Sequence, residues 1–169
     1  MLILLFITTR SATYGTNEYK QCPSQSKQYF QIKKFDIHTA IQTRGMTLVL
    51  HLIAELNHKV QEPYLEIQLL NGRIPYTRKI DQLCLPGILI CPASFSQVVY
   101  GCLIPVPATI PIGEYTVRMI FREGSERLAC YESHVKINDI DIEKLHREEY
   151  ERAYKREYEA HHDETEDID

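Results

Sequence analysis

Met46-Thr47-Leu48-Val49-Leu50-His51-Leu52-Ile53-Ala54-Glu55-Leu56 alternates apolar and polar side chains over most of its length. Met46, Leu48, Leu50, Leu52, Ala54 and Leu56 fall on one face, and Thr47, His51 and Glu55 share the other. A β-strand repeats its side-chain direction every two residues, so the apolar face must point into a core. Val49 and Ile53 interrupt the polar face, which predicts a strand covered on both sides.

The same signal extends outward in both directions. Residues 29–37, 64–70, 73–80, 97–104, 114–121 and 128–137 read as further strands, separated by Pro, Gly and Asn. Within 114–121, Tyr115, Val117, Met119 and Phe121 alternate with Thr116 and Arg118. Lys33-Lys34 breaks the alternation between Ile32 and Phe35 as a bulge would. Asn71-Gly72 suits a two-residue hairpin, residues 111–113 (Pro-Ile-Gly) a tight entry to a strand, and residues 123–126 (Glu-Gly-Ser-Glu) a hairpin loop. About seven strands in roughly 110 residues predict an all-β fold, an immunoglobulin-like antiparallel β-sandwich.

Charge separates this body from the C-terminal residues. Residues 1–138 carry 14 Lys and Arg against 10 Asp and Glu, whereas residues 139–169 carry 5 against 13. A body so mildly basic lacks the clustered basic stripe of a nucleic-acid binder. Residues 139 to about 160 read as a charged helix, with opposite charges four apart at Glu143/Arg147, Glu148/Arg152 and Glu151/Lys155. Tyr150, Tyr154 and Tyr158 form a partial stripe along it, and residues 163–169 read as a disordered acidic end. At the other terminus, Met1-Leu2-Ile3-Leu4-Leu5-Phe6-Ile7 is too short to span a bilayer. With the small residues after it, the run reads as a clipped signal peptide over residues 1–15, without the usual basic start. The sandwich then occupies residues 16–138.

Five cysteines, Cys22, Cys84, Cys91, Cys102 and Cys130, agree with that leader on an oxidising compartment, secreted or endo-lysosomal. Cys84 and Cys91 flank a segment with a Pro86-Gly87 turn, which can bring them within disulfide reach as a local staple. Cys22 and Cys130 stand at the two ends of the sandwich, where a bridge would close a long loop. Cys102 is then left as a free, small apolar core residue beside Val98, Tyr100 and Ile104.

No catalytic constellation stands out. There is no Gly-x-Ser-x-Gly elbow, phosphate-binding glycine loop, His-Glu-x-x-His or Cys-x-x-Cys. The seven histidines are scattered apart from His161-His162, which read as part of a solvated tail. The sequence therefore predicts no enzyme, metal or cofactor.

The order Asp81-Gln82-Leu83-Cys84, six residues, Cys91-Pro92, a strand, Ile110-Pro111-Ile112-Gly113-Glu114-Tyr115-Thr116-Val117, a charged hairpin, and Leu128-Ala129-Cys130 before Val135-Lys136-Ile137 resembles the ML lipid-recognition family. That family takes in Niemann-Pick type sterol carriers, group 2 mite allergens and phosphatidylglycerol/phosphatidylinositol transfer proteins. The resemblance covers roughly residues 22–137. It implies the same two cysteine pairings and a sandwich whose sheets splay to admit a lipid. The Cys-Pro-x-x-Pro-Cys hairpin common among the sterol carriers is absent, and residues 38–45 occupy its place.

A lipid tail needs a dry concave surface with a wet mouth. The chain has no Trp to fill a sandwich core. The lining this implies is Leu48, Leu50, Leu52, Leu65, Ile67, Leu69, Val98, Tyr100, Tyr115, Val117, Met119 and Phe121, with Pro105, Val106 and Pro107 near the rim. Arg73, Arg78, Lys79, Arg118 and Arg122 are the basic residues available to an anionic head group or a membrane surface. Three roles suit such a chain: a soluble carrier of a sterol or phospholipid with transient membrane contact, a lipid-presenting subunit of a receptor contacted through the C-terminal helix, or a structural sandwich without ligand.

Overall fold

The computed structural model describes residues 18–23, 27–38, 45–138, 147, 150–152 and 154–155. Its strands are β1 (Lys20–Gln21), β2 (Phe30–His38), β3 (Thr47–Leu56), β4 (Tyr64–Asn71), β5 (Ile74–Gln82), β6 (Gln97–Pro105), β7 (Gly113–Glu123) and β8 (Glu126–Ile137). All seven predicted strands are present. The addition is β1, whose two residues pair with Glu132 and Tyr131 of β8. A strand that short carries no periodicity to read.

The strands form two antiparallel sheets, β1-β8-β7-β4-β5 and β2-β3-β6. At the centre of the smaller sheet, β3 buries Leu48, Leu50, Leu52, Ala54 and Leu56. Its other face corrects the expectation of double cover: Val49 and Ile53 are only half-buried, and Thr47, His51 and Glu55 are exposed. Opposite them, Val99 and Leu103 of β6 also lie exposed. Met46 falls one residue short of the strand and is exposed, not in the core.

The bulge at Lys33-Lys34 appears as a register shift between Ile32 and Lys34. At the β4–β5 turn, Asn71 pairs with Ile74, so the two-residue loop is Gly72-Arg73, one position later than predicted, with Gly72 at φ 58°. Positive φ costs glycine little because it has no Cβ to clash. Gly124-Ser125 forms the expected hairpin loop between Glu123 and Glu126. The Tyr115 hydroxyl, near the start of β7, donates to the carbonyl of Pro111 at 2.5 Å, a corner of the kind found in immunoglobulin-like sandwiches.

Both predicted disulfides are present, Cys22–Cys130 and Cys84–Cys91, and Cys102 is free. Cys130 is the direct partner of Ile120 on β7 and clusters with it and Cys22, apart from the main core. The long-range bridge therefore lies on the outer face of the five-stranded sheet, where it ties β1 to β8. Neither disulfide joins the two sheets.

Residues 139–169 form a separate unit. Within it Arg147, Tyr150, Glu151, Arg152, Tyr154 and Lys155 are helical, in agreement with a charged helix, and Tyr150 and Tyr154 are exposed. The expected leader, Tyr158, the pair His161-His162 and the acidic end lie outside the described residues.

Candidate functional site

All twelve residues predicted as lining are buried and belong to one apolar cluster between the sheets. Register explains why. Val98, Tyr100, Cys102 and Ile104 of β6 stand opposite Ala54, Leu52, Leu50 and Leu48 of β3. Across the interior, Leu65, Ile67 and Leu69 of β4 stand opposite Phe121, Met119 and Val117 of β7. Directly paired residues share a face, so four strands contribute one continuous apolar surface.

The interior has a direction. On the β2–β8 side it is closed by aromatic rings: Phe30 stacks on Phe121 at 4.5 Å, and Tyr19 meets Phe35 and Tyr131 edge-on. The Tyr131 hydroxyl donates to the carbonyl of Phe30 at 2.7 Å, joining the two sheets there. Towards β5, Tyr76 meets Tyr115 edge-on at 5.8 Å, and the border beyond turns polar.

Sequence reasoning missed that polar border. Leu65, Ile67 and Leu69 are paired with Asp81, Lys79 and Thr77 of β5, so these three polar residues share the inward face. The seam is joined by Thr77, whose hydroxyl donates to the Pro105 carbonyl at 2.9 Å, and by Tyr100, whose hydroxyl donates to Asp81. Lys79 pairs with the same carboxylate. Burial pushes the Asp81 carboxyl upward, but Lys79 and the Tyr100 hydroxyl outweigh it and hold the group below the usual range. Burial and then Asp81 drive the Tyr100 phenol far above its ordinary value. The alternation Thr77-x-Lys79-x-Asp81 opposite Leu65-x-Ile67-x-Leu69 was the available signal. Reading it required the register.

Cys102 lies in this border, half-buried and not a full core residue as expected, because β6 is the edge strand of its sheet. Burial raises its thiol. Pro105 is exposed at the end of β6, Val106 is buried in the core and Pro107 is half-buried.

The basic residues proposed for a head group are largely committed elsewhere. Arg78 and Arg122 bind Glu66, and Arg118 binds Glu132, all on the outer face of the larger sheet. Arg73 sits exposed in the β4–β5 turn. Of the five, Lys79 alone borders the interior.

Two surface features complete the picture. On the outer face of the smaller sheet, His51 lies over Gly101 and stacks on His38 with ring centroids 5.4 Å apart, while His38 bonds to Asp36 at 2.9 Å. A Cβ on Gly101 would come within 3.0 Å of the His51 ring. Among the described residues no group of three or more His, Cys, Asp or Glu is arranged to hold a metal ion.

The second feature is the stapled loop after β5. Between Asp81 and Glu114 the chain contains no charged residue. In this stretch Leu85, Ile90 and Phe95 are exposed at 47, 85 and 81%. Phe95 also has φ 49°, a left-handed conformation that disfavours large side chains.

These features define an immunoglobulin-like sandwich with an apolar interior and one polar border. The ML domain family model matches residues 16–137, and the chain belongs to that family. Its members bind lipids and are not enzymes, and this chain is likewise not an enzyme. Comparison with curated proteins gives no match. Among solved structures, the chain is similar to a Niemann-Pick type C2 protein from Japanese carpenter ant, with TM-score 0.55 and 13% identity over 72% of this chain and 99% of that one. It is also similar to chicken MD-1 complexed with lipid IVa, with TM-score 0.43 and 21% identity over 73% of this chain and 94% of that one.

Proposed function

We propose that this chain encloses the apolar part of a sterol or phospholipid between its two sheets and carries it through a secretory or endo-lysosomal lumen. The observation that carries this reading is the continuous apolar surface from β3, β4, β6 and β7, which no disulfide crosses and which ends in a polar border at one edge. Each methylene of a guest transferred there contributes about 0.8 kcal/mol, so an acyl chain or sterol ring system is held without any covalent or metal chemistry. The twelve buried residues are the proposed lining.

Loading and release take place at membranes through the uncharged loop. Leu85, Ile90 and Phe95 expose apolar surface to water, and Phe95 does so from an unfavourable backbone conformation. Costs of both kinds cluster at functional sites. A lipid interface removes the apolar side chains from water and meets no charge on the loop that resists insertion. The two disulfides fit an oxidising lumen.

The test is direct. The chain is secreted from eukaryotic cells, extracted with organic solvent, and the extract is analysed by mass spectrometry. About one lipid per chain is expected. Repeated absence of lipid, together with no uptake of sterol or phospholipid by the purified chain, sinks the reading.

A second reading, a lipid-presenting subunit of a receptor, draws on the exposed Tyr150 and Tyr154 of the C-terminal unit. Truncation after Asn138 separates the two. A carrier keeps lipid uptake and transfer, whereas a presenting subunit keeps uptake and loses its protein partner.

A further inference from the structure

The charged residues on the inward face of β5 have no equivalent on the other strands that line the interior. Strands β3, β4, β6 and β7 present hydrocarbon, tyrosine or thiol to it, but β5 presents Thr77, Lys79 and Asp81 next to the ring of Tyr76. These three are half-buried, whereas Arg78, Ile80 and Gln82 between and beyond them are exposed. The ion pair thus stands where the dry interior meets water, beside the buried ring of Tyr100.

Its partners are unevenly distributed. The Tyr100 hydroxyl and the Lys79 ammonium both reach Oδ2 of Asp81. Oδ1 takes no hydrogen bond from the described residues. The ammonium has three N–H donors in all. The local charge sums to zero: one cation, one anion, a neutral phenol and a neutral thiol.

We propose that Lys79, Asp81 and Tyr100 form a head-group subsite at the β5–β6 seam that takes an uncharged hydroxyl and discriminates against phosphate, sulfate and carboxylate. This deepens the lipid-binding reading and rests on it. A hydroxyl is both donor and acceptor. It donates to the open oxygen of Asp81 and accepts from an N–H of Lys79, leaving the ion pair intact. An anionic head finds its cation already paired and faces the Asp81 carboxylate at short range, where like charges repel strongly in a partly dry site. The subsite therefore favours a sterol alcohol or diacylglycerol over an anionic phospholipid. A seam that only ties two sheet edges together, by contrast, is indifferent to the head group.

The probes are cholesterol, cholesteryl sulfate, a diacylglycerol and the matching phosphatidic acid, titrated into the full chain. The wild type is expected to bind each alcohol more tightly than its anionic counterpart by about ten- to hundredfold, the worth of one hydrogen bond to a charged group. Asp81→Asn keeps the shape and leaves Lys79 as an unbalanced cation, so the preference should shrink at least tenfold and can reverse. Lys79→Met removes the cation and should disfavour the anionic ligands further. Tyr100→Phe, which deletes only the hydroxyl, serves as the second reporter if Asp81→Asn does not fold, and should weaken alcohol binding with little change for the sulfate. Equal binding of alcohols and anions by the wild type, or a preference unmoved by these substitutions, overturns the subsite and leaves lipid binding standing. Failure of the wild type to bind all four probes overturns the lipid-binding reading itself.

Discussion

Nε of Arg122 lies 3.0 Å from Oε2 of Glu66, a carboxylate only 3% exposed although it sits on the outer face of the larger sheet. Arg78 and Gln68 supply the remaining partners at 2.6 and 2.7 Å, both to Oε1. Burial pushes the Glu66 carboxyl up, but Arg78, Gln68 and Arg122 together hold it below its ordinary value.

That balance fixes the sign of a pH effect. A carboxyl depressed in the folded state contributes stability that is fully present above its unfolded pKa and is lost as pH falls through the folded one. The contribution of Glu66 should therefore fade below about pH 4.5. Glu66→Gln should cost about 1 to 3 kcal/mol at neutral pH and flatten the loss of stability on acidification. Urea unfolding at pH 7, 5 and 3 checks both, and parallel curves for the two proteins contradict the assignment.

Cys22–Cys130 closes a loop with a sequence separation of 108, whereas Cys84–Cys91 spans 7. In the chain-entropy model, replacing the first pair by alanine should cost about 4 to 5 kcal/mol and the second about 2 to 3 kcal/mol. Thermal unfolding of the two double variants tests this order. Under denaturing, non-reducing conditions the parent should titrate as one thiol, Cys102, and Cys102→Ser as none.

Much of this fold is legible in residues 46–56 and their counterparts, because a half-buried strand writes its burial into every second residue. The interior-facing residues of β3, β4, β6 and β7 were readable for that reason. β5 was not. Over Thr77, Lys79 and Asp81 its inward face is polar, while Ile80 on its outer face is apolar and exposed, so the alternation there, taken alone, assigns the faces backwards. Only pairing with β4 reveals that Lys79 and Asp81 point inward. The same holds for Arg78, Arg118 and Arg122, which look like free cations in sequence. Their partners Glu66 and Glu132 lie on neighbouring strands.

Val117 stands opposite Leu69 near the middle of the proposed lining and is fully buried. Val117→Phe adds volume to the interior. In a core with no room for a guest, such overpacking costs about 1 to 3 kcal/mol. If the space accepts a lipid, the ring should instead occupy part of it, with a smaller loss of stability and roughly half or less of the co-purified lipid. Mass spectrometry and thermal unfolding of the same preparation decide the matter. Unchanged lipid content accompanied by strong destabilisation removes Val117 from the lining.

Ile90, inside the loop closed by Cys84–Cys91, and Phe95, just beyond it, are among the most exposed large apolar residues described. Full burial of one such side chain is worth about 1.5 to 3 kcal/mol, so two of them inserted at a bilayer surface change partitioning by more than tenfold. Ile90→Glu with Phe95→Glu replaces that gain with two charges to be desolvated. The variant should keep its fold, since both positions are in water, and should hold lipid in solution as before. Its transfer of a fluorescent sterol between vesicles should slow by at least about tenfold. The Phe95 change also leaves the backbone at φ 49°, so Phe95→Gly supplies the complementary measurement. Glycine accepts that conformation without strain and should raise thermal stability slightly while still slowing transfer. Slowed transfer with preserved lipid uptake places the loop in membrane contact. Transfer as fast as in the parent removes it, and exposure of Ile90 and Phe95 would then call for a protein partner.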